Sequence, residues 1–524
     1  MKQFFTITLC LAFALGLCFQ SAAQGDRYVD EVFDEVSISE GVVYGENFTI
    51  EPFLTGNFVA ERDDLLMDVY QPEGDDLTER PLVLLFHTGN FAPFPLNGST
   101  GGFRTDSAIV EIANQLTRRG FVVASVDYRL GWFPFDPDQE VRVFSLINAV
   151  YRTLQDARTC IRFFKKDFAD NGNTYGIDTS RIVLWGLGSG GYLVNATATI
   201  DNYQEVVLPK FISGGVPMVV EAWNGNIFGT SVGLVPAGYP ILSEGDTLCI
   251  PNWVTFDSGD PISSDYALSV NMGGALGDTS WIDENVGPWI SFQNTTDPDA
   301  PYVEGLVNVP GLNLPVVEVQ GAYLIQQLQE AFGNNEDWED VEFVDPISAA
   351  AEEANSKPVT IGNETFPGLT DVEGLYAILG DNSAPWDWWD PNNQNAPDDE
   401  DPDKGRALMY IDTILQFAIP RACITLELDC NLDGVVSTED LISSAQVDLN
   451  VFPNPSSGSI FFQAEGESPI LGIQLFDLNG RLVHNVEGLR DPQYVLRRGS
   501  LPAGTYIAQI RFEEGVVAQR LVLK

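Results

Sequence analysis

Residues Arg181–Tyr192 read R-I-V-L-W-G-L-G-S-G-G-Y. An apolar run, a tight glycine turn and a helix-like continuation confine this stretch to a strand–turn–helix corner. Such a corner projects the residue at its tip over the end of a parallel sheet. Where the tip carries a nucleophile, the pattern is Gly-x-Ser-x-Gly, because small residues two before and two after it let strand and helix approach. Gly186 and Gly190 fit the flanking positions, and Gly188 stands between them. Ser189 falls one residue late, and centring on it puts Leu187 where the first small residue belongs. The corner is therefore predicted with its nucleophile position, Gly188, vacant and with Ser189 as an off-register candidate.

The chain has two histidines, His87 and His484. A serine nucleophile needs an imidazole to take the hydroxyl proton and return it to the leaving group. His87 follows the apolar run Pro81–Phe86, where an oxyanion-binding loop is expected, and His484 lies in a C-terminal segment that reads as a separate domain. Neither is placed as a base.

The 524 residues suffice for one large domain and a smaller one. Lys2, an apolar run from Phe4 to Leu17 and Ser21-Ala22-Ala23 form a signal peptide, residues 1–23, and no further apolar span suggests a membrane anchor. Leu17 before Cys18 argues against a lipoprotein signal. The formal charge of −48 becomes −49 when the signal removes Lys2 and no acid. That charge makes nucleic acid and anionic membranes poor partners. Cys160, Cys249, Cys423 and Cys430 remain in the exported chain. Three pairings into two disulfides are open; Cys423 with Cys430 is a local one, and Cys160 with Cys249 would follow.

Leu66–Tyr70 alternates like an edge strand, whereas Leu82–Phe86 and Phe121–Val126 are continuous apolar runs, as strands buried on both faces should be. Helical patterns cover about 107–119, closed by Gly120, and 143–167, and strands follow at Ile182–Trp185 and Trp289–Phe292. This alternation implies right-handed crossovers and a mainly parallel, doubly wound sheet. Residues 320–425 mix helices with polar loops, including a tryptophan run at 385–389, read as core packing with a carbohydrate platform as the alternative, and a solvated acidic loop at 398–403.

Taken together, residues 40–425 resemble the secreted bacterial α/β-hydrolases of the carboxylesterase, lipase and feruloyl-esterase-like group. The resemblance is carried by LMDVYQP (Leu66–Pro72), HTGNF (His87–Phe91), RGFVVASVDYRLG (Arg119–Gly131), Asp156-Ala157-Arg158, Tyr175–Arg181 and the corner itself. It implies an α/β-hydrolase domain over residues 24–428. It also implies that D-P-D-A-P, Asp297–Pro301, holds the acid of a catalytic triad at Asp297. The chain departs from the family where the chemistry lies: Gly188 replaces the nucleophile, Thr88 and Asn90 dilute the oxyanion glycines, and Gln293 stands where the family often has His.

D-C-N-L-D-G-V-V-S-T-E-D, residues 429–440 in a segment spanning 429–446, resembles a calcium loop of EF-hand or dockerin type. The ligands it implies are Asp429, Asn431, Asp433, the Val435 carbonyl, Ser437 and Asp440, with Gly434 at the sharp turn. A single copy argues against a dockerin's protein partner. Residues 449–524 contain VFPNPSSG, LFDLNGR and LPAGTY. They resemble the C-terminal sorting domain of type IX secretion, which implies a small all-β sandwich, handling by that machinery, and secretion or attachment at the cell surface. The expected protein is exported, esterase-like and catalytically inactive, binding an ester- or carbohydrate-containing ligand. An active hydrolase using Ser189, and a purely structural surface protein, are the alternatives.

Overall fold

The computed structural model describes residues 26–524 apart from 51–59, 99–100, 236–244, 246, 298, 310–311, 340, 371, 381–403 and, towards the C-terminus, 431, 433–434, 438–443, 445–446, 448, 465–468, 478–481, 500 and 513–514. The signal segment, the tryptophan run and the acidic loop lie outside the described residues.

Eight strands form one sheet in the order β1-β2-β4-β3-β5-β6-β7-β8. They are β1 (Val36–Thr49), β2 (Glu61–Pro72), β3 (Arg80–Phe86), β4 (Val122–Val126), β5 (Ile177–Leu187), β6 (Leu268–Met272), β7 (Trp289–Asn294) and β8 (Leu375–Ile378). Strands β3 to β8 are parallel, while β2 pairs antiparallel with β4, and β1 antiparallel with β2. Every residue of β3 and β4 is buried. Their side chains alternate between two cores: Leu82, Leu84 and Phe86 enter one, Val83 and Leu85 the other. That is why both strands read as unbroken apolar runs rather than alternating ones.

Leu66–Tyr70 is not an edge strand. It lies within β2, one strand in, because the acidic lead-in itself forms β1. The polar residue of the alternation, Asp68, is buried rather than solvated. It accepts the Gly41 N–H at 2.7 Å and pairs with Arg104 at 3.0 Å.

Helix α1 (Ser107–Arg118) connects β3 to β4, and α2 (Gln139–Asp170) returns past β3 to β5, so the two pack on opposite faces of the sheet. The strand order reverses between β3 and β5, whose ends pair at Phe86 and Gly186. In open α/β sheets the crevice beyond the carboxyl ends at such a reversal is the usual ligand site. The loop after Phe86 and the turn into α3 (Ser189–Thr199) both open there.

Later helices α4 (Ala322–Phe332), α5 (Pro346–Asn355) and α6 (Lys404–Thr425) complete the two layers. Helix α6 is long and apolar enough to cross a membrane by length and composition alone. It instead packs Ile411, Ile414, Leu415, Phe417 and Ala418 into the core beneath the sheet. Its Arg421 pairs with Glu373 at 2.9 Å.

Cys423, at the end of α6, is bonded to Cys430. Cys160 and Cys249 are not paired with each other; both are buried free thiols. Cys160 faces inward from α2 against the Met67 sulfur at 3.8 Å, while Cys249 lies on a short strand paired with residues 233–234. Apolar burial rather than pairing accounts for both cysteines.

At the C-terminus, a three-stranded sheet (Leu449–Phe452, Ser459–Ala464, Gln493–Arg497) and a four-stranded antiparallel sheet share one core of their own. Ile460, Phe462, Ile473, Leu475, Ile510 and Leu521 fill it. Short alternating strands bounded by Gly and Asn turns give this sandwich, as the sequence pattern predicts.

Candidate functional site

The corner between β5 and α3 is set by close contacts that leave no room for side chains. A Cβ on Gly186 would stand 2.0 Å from the Gly190 carbonyl oxygen, and one on Gly190 would stand 2.3 Å from that of Phe86. Gly188, at the tip, has φ 53° and ψ −114°. An L side chain adopts that backbone only under strain. Its N–H donates to the Met272 carbonyl at 2.8 Å, which ties the tip to β6. Ser189 heads α3, so its N–H is among those that no intrahelical carbonyl satisfies.

Ser189 itself is buried. Its hydroxyl lies 3.1 Å from the phenol oxygen of Tyr128, which donates to the His87 carbonyl at 2.8 Å. With the phenol proton committed to that carbonyl, the Ser189 proton points at the phenol oxygen. Burial raises the Tyr128 phenol well above its ordinary range, so Tyr128 is no base for Ser189 at neutral pH.

His87 lies beneath this group, stacked on the Tyr128 ring at 4.5 Å. Its Nδ1 meets the Thr88 carbonyl, and its Nε2 is 3.5 Å from Asp127. Burial is the largest influence and lowers the imidazole below its usual range, against the pull of Asp127. The buried ring is not among the crevice walls, and what lines the crevice from this loop is Thr88, Asn90 and Phe91. The loop is held by Trp132, whose indole N–H donates to the Asn90 carbonyl at 2.7 Å, and by the Gly131 N–H on the Phe91 carbonyl.

Two buried arginines anchor the surroundings. Arg129 pairs with Asp156 of α2 at 2.7 Å, and Asp156 also accepts the Arg129 backbone N–H. This fixes the segment carrying Tyr128. Arg158 donates to the carbonyls of Ile227, Thr197 and Ile200, holding the end of α3. The Asp156-Ala157-Arg158 segment therefore positions the corner from behind.

Asp297 follows β7 and is half-buried. Its Oδ1 accepts the backbone N–H groups of Asp299 and Ala300 at 2.8 and 2.9 Å. Burial nevertheless pushes the carboxyl up to about 7, outweighing those two bonds. Gln293, at the end of β7, is buried; it donates to the Ala300 carbonyl and accepts the Ala322 N–H. It braces the Asp297 loop against α4.

Gly188, Ser189 and Asp297 line a common cavity of about 130 Å³. Its far walls are apolar, with Leu146, Val150, Leu154 and Trp281, and with Val307 and Val317 of the hairpin Glu304–Val309/Leu314–Gln320. No Lys, Arg or His lines it among the described residues. The triad order Ser…Asp…His would require an imidazole after Asp297 in the chain. The histidine that follows, His484, lies in the C-terminal sandwich, its Nε2 2.7 Å from the Tyr494 hydroxyl. Tyr128, Tyr192, Asp299 and the cavity-closing hairpin are the site elements that sequence reasoning missed.

Of the calcium-loop residues, Asp429 is exposed beside the Cys423–Cys430 bridge, and Asn431, Asp433 and Asp440 lie outside the described residues. Val435 and Ser437 belong to a short strand paired antiparallel with Val341–Phe343.

Residues 67–212 match the BD-FAE family model, and residues 450–524 match the secretion system C-terminal sorting domain. A stretch of 137 residues is 29% identical to the neuroligin-like protein glit-1 of Caenorhabditis elegans, covering 25% of this chain and 16% of that protein. The chain thus spans about one sixth of that curated relative. Among solved structures, Thermogutta terrifontis esterase 2 phosphorylated by paraoxon is 15% identical with a TM-score of 0.28, over 52% of this chain and 74% of that one. A bifunctional GH43-CE protein of Bacteroides eggerthii is 17% identical with a TM-score of 0.30, over 57% of this chain and 32% of that one. The molecule combines an esterase-like α/β-hydrolase domain with a type IX sorting domain, and that tail marks it as secreted or attached at the cell surface.

Proposed function

We propose that this exported protein binds an ester-like ligand in the cavity beneath the corner and does not hydrolyse it. The observation that carries the reading is Gly188 at the tip, over the cavity, where a hydrolase presents its nucleophile. Two further features support it. The Ser189 proton is engaged by Tyr128, and no imidazole lines the cavity among the described residues. Without nucleophile and base, only binding and the amide groups at the head of α3 remain. These supply at most about 10³–10⁴-fold over water.

Fluorophosphonate labelling and turnover of p-nitrophenyl esters by the purified mature chain test this. No label and no turnover above that floor are expected. Stoichiometric labelling that Ser189→Ala abolishes would establish an off-register hydrolase instead.

We further infer that the 429–440 segment holds one Ca²⁺. Its oxygen-rich donor set, with carboxylates, amide, hydroxyl and a carbonyl, suits a hard cation. The ion would neutralise a dense set of acids between the two domains.

A further inference from the structure

In a Ser-His-Asp site the acid faces an imidazole, which stands between it and the nucleophile. Here the acid is kept and the imidazole is not, so Asp297 and the corner meet across the cavity itself. Both backbone bonds to Asp297 go to Oδ1, and no ion pair of Asp297 is present among the described residues. Asp299 lines the same cavity, so the lining charges are both negative. Trp132, Phe91 and Tyr192 also line the cavity, the last two edge to face at 6.4 Å.

We propose that the cavity takes a ligand with an apolar or aromatic body and one protonated amine head, which pairs with Asp297 in the place an imidazole would hold. This rests on the binding reading above and specifies its ligand class. A carboxylate in a largely apolar pocket is stabilised by a cation that brings its own charge and hydrogen-bond donors. The net charge of −48 draws cations towards the protein and repels anionic ligands.

Among the described residues, the titratable groups that feel the Asp297 charge are the Asp299 carboxylate, the Tyr192 phenol from α3 and the Tyr410 phenol from α6. Burial raises both phenols, so they stay neutral in the working range. With its carboxyl titrating at about 7, Asp297 is the group that couples amine binding to pH there. Amine affinity should fall as pH drops below 7, by up to about tenfold per unit.

Calorimetric titration of the mature chain with 4-phenylbutylamine, 4-phenylbutan-1-ol and 4-phenylbutyrate at pH 5.5 and pH 8 tests the assignment. The amine is expected to bind at least about tenfold tighter than the alcohol at pH 8, with the preference shrinking at pH 5.5. Asp297→Asn, which keeps the Oδ1 acceptor, should bring the amine down to the affinity of the alcohol. Ala196→Trp, folded by circular dichroism, fills the cavity and should remove binding of all three. Equal binding of amine and alcohol, or tightest binding of the carboxylate, would overturn the cationic assignment while leaving a binding protein. Failure of all three to bind overturns both readings, and ester turnover with label on Ser189 overturns the binding reading in favour of catalysis.

Discussion

The Ser189 hydroxyl and the Tyr128 phenol are 3.1 Å apart, and the phenol is itself committed to the His87 carbonyl at 2.8 Å. The one serine at the corner is thus the end of a short structural chain that ties α3 to the loop after β3. Tyr128→Phe would leave the carbonyl and the serine without that partner in a buried setting. A loss of about 1–3 kcal/mol in unfolding free energy is expected, measured by denaturant titration, with no gain of fluorophosphonate labelling at Ser189.

Asp297 gives stability a pH dependence of known sign. Its folded-state value, about 7, lies above the ordinary carboxylate range, so the folded chain holds a proton that the unfolded chain has released. That contribution is complete below about pH 4 and is lost as pH rises to 7. At about 1.4 kcal/mol per pH unit, the whole window is worth on the order of 4 kcal/mol. Asp297→Asn should therefore raise the melting temperature at pH 8 and change it little at pH 4. An equal effect at both values would show that the carboxyl titrates normally.

The cysteines separate cleanly. Cys423 and Cys430 close a short loop, seven residues apart in sequence. Reduction is expected to cost about 2.5 kcal/mol on the chain-entropy account. Cys160 and Cys249, both buried, should react with a thiol reagent only after unfolding. Two thiols titrated in denaturant without reductant is the expected count for the mature chain.

Chelation provides the test of the calcium loop. Removing the ion from an acid-rich segment should lower the melting temperature of the mature chain, and Asp433→Ala should abolish calorimetric Ca²⁺ binding. Unchanged melting on chelation, together with full binding by the variant, would rule out a site in the 429–440 segment.

The parallel core was legible because burial on both faces makes β3 and β4 continuous apolar runs that no surface strand resembles. Strand β1 was not. Its exposed residues mix Ser37, Ser39, Glu40 and Gly41 with Ile38 and Val43, so no clean alternation marks it, and only pairing with β2 along Val36–Thr49 reveals it as the edge. The place of Gly188 at the tip could be read from spacing alone, since corner residues are consecutive. The cavity could not. Val307, Val317 and Trp281 reach it from a hairpin and a short turn more than ninety residues downstream of Gly188, and nothing local marks them as walls. Tyr128 was visible in its motif, yet its role depends on two contacts across the sheet end, with His87 and Ser189.

The contacts at Gly186 and Gly190 have a bearing on how such chains are counted. Both glycines are demanded by atoms of the backbone, the Gly190 and Phe86 carbonyl oxygens, and neither contact involves the residue at 188. Close packing of strand against helix is enough to require both glycines, whatever residue stands between them. A search that scores glycine spacing alone therefore detects the packing of this corner and carries no information about the residue at its tip.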